Sequence, residues 1–141
     1  MKKVLCQFGV YPYFGASIPN YKDLGLDPEK IYSVLKNGEF VKQLHKSMND
    51  KHIPVYLGSP FNENPIQSVS KSDYIDGIMF VDIDTNFELS AGYEVDVKKE
   101  SGEYIGIPYD LVMINPILRN ITIVERKLEP LKLELITISS S

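Results

Sequence analysis

The chain has no tryptophan, one cysteine and two histidines in 141 residues, and each scarcity removes a class of function. A single thiol cannot close an internal disulfide, which fits a reducing compartment and leaves burial to hold the fold. Cys6 lies in the apolar run Val4-Leu5-Cys6, where a buried and unreactive thiol is expected. The two histidines, His45 and His52, stand apart from the cysteine and from each other, so no zinc-ligand spacing arises, and neither metal nor cofactor is expected. Asp82, Asp84, Glu88 and Glu94 are acidic in the manner of a solvated strand face rather than of a metal cluster. Charge of neither sign dominates: 15 Lys and Arg stand against 19 Asp and Glu, for a net charge of -4, and the basic residues are scattered. A nucleic-acid partner therefore has no electrostatic support. No apolar run approaches the length of a membrane span, and the apolar start is cut at Gln7 with no small-residue cleavage site after it, so neither membrane insertion nor a secretory leader is expected.

What is present is a chain 43% hydrophobic and 24% charged, enough for a single domain over residues 1–141 with a proper core. Residues 3–10 read as a first strand, broken by Tyr11-Pro12-Tyr13-Phe14-Gly15. Asp27-Pro28-Glu29 has the chemistry of a helix start, with Ile31, Val34 and Leu35 at helical spacing behind it and Gly38 placed to end the helix. Phe40, Val41, Leu44 and Met48 predict a second helix. Residues 53–57 and 78–81 read as short buried strands, and residues 59–72 as a polar, proline-bearing loop. From Phe87 the pattern alternates. Phe87, Leu89, Ala91, Tyr93, Val95 and Val97 fall on one face, and Glu88, Ser90, Gly92, Glu94 and Asp96 on the other. Ser101-Gly102 predicts a hairpin turn, residues 104–113 the returning strand, and residues 118–124 and 131–138 two further strands. The fold class expected is α+β, mainly β, as a small antiparallel β-barrel or strongly bent sheet flanked by two helices.

Several segments carry a further signal in their order along the chain: Gly9-Val10-Tyr11-Pro12-Tyr13-Phe14-Gly15, Leu24-Gly25-Leu26-Asp27-Pro28-Glu29-Lys30-Ile31-Tyr32, Leu89-Ser90-Ala91-Gly92-Tyr93, Gly106-Ile107-Pro108-Tyr109-Asp110 and Ile123-Val124-Glu125. Together they resemble the prohead, or capsid maturation, proteases of tailed phages. The resemblance implies a fold similar to the herpesvirus assemblins and work in capsid assembly. It also implies Ser90 as the nucleophile position, served in the family by a histidine on a later strand within a segment reading roughly N-H-V-A-L-V-E. Here that position is Asn120, and the second histidine of the family falls on Ser59, so both partners of the nucleophile are substituted.

The chemistry is set by those substitutions. A serine hydroxyl is a weak nucleophile until a base takes its proton, a contribution of roughly 10²- to 10⁴-fold, and an asparagine amide has no group to titrate. His52 is the alternative base if the loop before residue 53 folds back. Lys98 and Lys99 raise a serine–lysine pair, but beside Glu100 at an expected hairpin end they should stay charged and solvated. The function expected is that of a capsid-assembly or virion structural protein on a catalytically degraded prohead-protease fold. The alternative is an active serine endopeptidase that processes scaffold or capsid chains through Ser90. A binding module sharing only the barrel ranks last. Expected partners are phage head proteins, whether capsid, scaffold or portal, or further copies of the chain. The place of action is the host cytoplasm during assembly, with retention in the virion left open. Exposed aromatics in Tyr11-Tyr13-Phe14 and Pro60-Phe61 are the candidate contact points.

Overall fold

A computed structural model describes residues 2–48, 51–58 and 64–124. Its single α-helix among those residues, α1 (Gly38–Ser47), forms where the sequence concentrates helix signals. The Asn37 carboxamide accepts from the backbone N–H of Phe40 and caps the first turn, while Glu39 there and Lys46 in the last turn suit the helix dipole. Phe40, Val41, Leu44 and Met48 are all buried, as their spacing predicts.

The rest is strand: β1 (Lys2–Gln7), β2 (Gly9–Phe14), β3 (Ile31–Lys36), β4 (Ile53–Leu57), β5 (Gln67–Val69), β6 (Ser72–Ile75), β7 (Ile78–Asp82), β8 (Glu88–Tyr104) and β9 (Ile107–Val124). Strands β1, β7 and β6 form one antiparallel sheet in that order. The second sheet is organised by β9, which pairs with β8 along its length; its other edge takes β3 in parallel near Leu111 and β4 in parallel near Ile121. β2 and β5 complete this sheet as antiparallel neighbours of β3 and β4. The main core, including Leu44, Val55, Met79 and Ile121, brings α1 together with strands of both sheets. The class is thus α+β and mainly β. Among the described residues the two sheets do not join into a closed barrel, and no helix is long and apolar enough to cross a membrane.

Four local expectations need correction. The helix predicted after Asp27 is a single turn: the Asp27 carboxylate accepts from the Glu29 N–H, the Lys30 N–H returns to the Asp27 carbonyl, and the chain then extends as β3. Ile31, Tyr32 and Val34 are β-branched or aromatic and suit a strand, and Val34 and Leu35 find partners in Leu111 and Val112. Gly38 consequently opens α1 instead of closing a helix before it. The break expected at Pro12 falls instead at Phe8, and Pro12 is accommodated because β2 lies at the sheet edge. The hairpin turns at Ile105-Gly106, both at positive φ, while Ser101 lies in a bulge between the Lys99–Leu111 and Gly102–Tyr109 pairs.

The strands expected over residues 104–113 and 118–124 are parts of one strand, β9. It passes through Asn115-Pro116 by a second bulge, where those two residues oppose Val95 alone and Asn115 has φ of 55°. The strand expected at residues 131–138 lies outside the described residues.

Candidate functional site

Ser90 lies on β8 opposite Thr122 of β9, and Thr122 in turn lies opposite Tyr56 of β4. Alternation along β8 puts Leu89 and Ala91 against the core and leaves the Ser90 side chain exposed on the other face. The pairing of Gly92 with Asn120 is the feature that brings Asn120 onto that same face. Leu118 and Asn120 have the same parity, yet Leu118 pairs with the half-buried, core-facing Tyr93 and is itself buried. Arg119 is an extra residue between the two pairs, and this third bulge reverses the direction of every side chain beyond it. Asn120 can then lie flat across Gly92: a methyl carbon built there would sit 2.8 Å from Asn120 Cγ and 2.9 Å from Nδ2. Only glycine leaves that space.

The Ser90 and Asn120 positions are therefore diagonal neighbours on one open sheet face, together with Thr122 and Tyr56. The resemblance gives these two positions to a nucleophile and its base; in this chain they hold a hydroxyl and an amide. Ser90 makes no hydrogen bond to an imidazole or amine among the described residues. His52 cannot supply one. It is exposed, four residues before Tyr56 and two strands away from Ser90, which at about 3.3 Å per residue and about 4.8 Å per strand is a separation of roughly 16 Å. Ser59 lies outside the described residues. Lys98 pairs with Glu100 at 3.1 Å in solvent, eight positions along β8 from Ser90, as its charge neighbours suggest.

The serine that does meet an imidazole is Ser72, whose hydroxyl lies 2.5 Å from Nδ1 of His45. This contact fastens the last turn of α1 to β6, where the His45 ring also stacks on Tyr74 and the Tyr74 hydroxyl donates to the Gly38 carbonyl. Its role is to dock the helix. No sequence signal joins residues 45 and 72, because the contact depends on how α1 lies over the small sheet.

A second cluster missed in the sequence surrounds Lys36. Its side chain is buried, with the ammonium 4.6 Å from the ring centre of Tyr11, 5.2 Å from that of Tyr13 and 5.4 Å from that of Tyr93. Three aromatic faces take the place of a carboxylate as its electrostatic partner. Burial pushes the Tyr11 phenol up to about 12, and burial together with Tyr13 also raises the Tyr93 phenol. Burial likewise raises the Cys6 thiol against the opposing pull of Lys36, which makes it the inert cysteine expected. Tyr11 and Tyr13 are thus half-buried against Lys36, and of that aromatic segment Phe14 is exposed, at 55%. Pro60 and Phe61 lie outside the described residues.

Among the described residues no three His, Cys, Asp or Glu side chains gather at metal-binding distance. Glu94 is held by Arg119, and Asp96 accepts from Asn115 Nδ2 at 3.1 Å. Comparison of the chain with protein-family models, curated proteins and solved structures finds no match.

Proposed function

We propose that the protein is a capsid-assembly or virion structural protein of a tailed phage or prophage, built on a prohead-protease fold that has lost its catalytic base. The observation that carries this reading is the shared face of Ser90 and Asn120, with Asn120 seated over Gly92 where an imidazole would have to stand. An amide there can donate or accept a hydrogen bond, but it cannot take the serine proton. A serine so placed retains at most what substrate positioning and oxyanion stabilisation supply. The protein then acts through its surface, on head proteins or on further copies of itself.

The test is complementation in a phage that carries the gene. Deletion should abolish normal heads in electron micrographs, and a Ser90→Ala copy should restore them as fully as the wild type. Normal heads without the gene would overturn the assembly role. Failure of a stably folded Ser90→Ala copy would restore the endopeptidase.

A further inference from the structure

The small sheet of β1, β7 and β6 turns an apolar face to solvent. Its pairing puts Cys6, Met79 and Val81 on the buried side; on the other side Val4 lies beside Phe80 and Asp73, and Gln7 beside Ile78 and Ile75. An antiparallel sheet with one solvated face ordinarily alternates apolar inside with polar outside. β7 departs from that rule, since Ile78-Met79-Phe80-Val81 is apolar on both sides, the pattern of a strand covered on both faces. Yet Val4 is 44% and Ile75 51% exposed, and Ile78 and Phe80 are half-buried. The strand is built for a second cover that the described residues do not supply.

The size and charge of the face select what can cover it. Three strands about 4.8 Å apart, each about five residues long at 3.3 Å per residue, give roughly 14 by 16 Å, or about 230 Å2. Among the described residues the border is acidic on balance: Asp73, Asp76, Asp82 and Asp84 stand against Lys2 and Lys71, and Lys2 already pairs with Asp73 at 3.0 Å. A second copy packed face to face would bury only that area on each side, well short of the roughly 800 Å2 per partner of a stable interface, and would set one acidic border against another. An α-helix about 10 Å across and about 11 residues long fits the same footprint. The chain's own α1 is not that helix, because its apolar stripe lies in the main core. We propose that this face receives an amphipathic helix of about three turns from another protein, with its apolar stripe on Val4, Phe80, Ile78 and Ile75 and with lysine or arginine along its flanks. Descent from a protease plays no part in this placement.

Isoleucine-methyl NMR on the full-length chain tests it with two synthetic peptides of about 14 residues, enough for three turns. Both carry leucine at helical spacing on one side; the remaining positions are lysine in one and glutamate in the other. The lysine peptide should shift the Ile75 and Ile78 methyls, leave the fully buried Ile121 methyl in place, and saturate below about 1 mM, as suits a small interface. The glutamate peptide should bind at least about fivefold more weakly. Ile75→Ser and Val4→Ser, both at exposed positions, should each weaken the lysine peptide by about fivefold, read at Ile78. Unmoved Ile75 and Ile78 methyls, binding indifferent to both substitutions, or a glutamate peptide that binds as well would overturn the proposal. So would shifts of those methyls on diluting the protein alone, which would assign the face to a second copy.

Discussion

Replacing Gly92 with alanine probes the one packing detail on which the candidate site depends. The new methyl would lie 2.8 Å from Asn120 Cγ, closer than real side chains pack, so either Asn120 rotates off the strand or the two strands part. Overpacking of this kind costs about 1–3 kcal/mol, and the end of a half-buried side chain should place it near the lower figure. Removing glycine from a strand interior returns about 0.5–1 kcal/mol. Gly92→Ala should therefore destabilise by up to about 1 kcal/mol with Asn120 present. In an Asn120→Ala background the obstruction is gone, and the same change should stabilise by about 0.5 kcal/mol. The sign reversal corresponds to a coupling of about 1–1.5 kcal/mol, measurable by urea unfolding of the four proteins provided their m-values agree. Additivity within about 0.5 kcal/mol would refute the placement of Asn120 over Gly92.

Three other outcomes are expected of the same structure. Ile105 holds φ of 51° at the hairpin turn, a left-handed geometry costly for a β-branched residue, and it is 75% exposed, so Ile105→Asn should stabilise by about 1 kcal/mol in thermal or urea unfolding. Lys36→Ala should cost about 2 kcal/mol through lost stem packing and ring contacts, while Lys36→Met, which keeps the stem and removes a buried charge, should cost distinctly less by the same assay. Tyr11 and Tyr93 have raised folded-state values, so their contribution is complete below the ordinary phenol value of about 10. Above it the unfolded chain releases protons that the folded chain keeps, and stability must fall with rising pH, by up to about 1.4 kcal/mol per pH unit for Tyr93; Tyr93→Phe should flatten the profile of unfolding midpoints above pH 10.

The parts of the fold legible in the sequence are those fixed by local chemistry. Phe40, Val41, Leu44 and Met48 mark α1 by their spacing, and the alternation from Phe87 to Val97 assigns the two faces of β8 correctly. β3 was illegible because Asp27-Pro28-Glu29 does make a turn of helical type, and the conformation of the next residues is decided by a parallel partner 77 residues away, at Val34 and Leu111. The face shared by Ser90 and Asn120 was only half legible. Parity puts Ser90 outside, but Asn120 joins it only because Arg119 bulges, and nothing local announces that bulge. The Lys36 cage joins side chains of β2, β3 and β8, so no stretch of sequence contains its signal.

The proposed loss of a catalytic base at Ser90 is tested most directly by covalent reactivity. The intact protein would be incubated with an excess of a fluorophosphonate at pH 8 and its mass measured, with the modified peptide sequenced. A hydroxyl beside Asn120 should remain unmodified, and the wild type and Ser90→Ala should give the same unlabelled mass. A stoichiometric adduct on Ser90, absent from Ser90→Ala, would show that a base reaches that hydroxyl and would contradict the account.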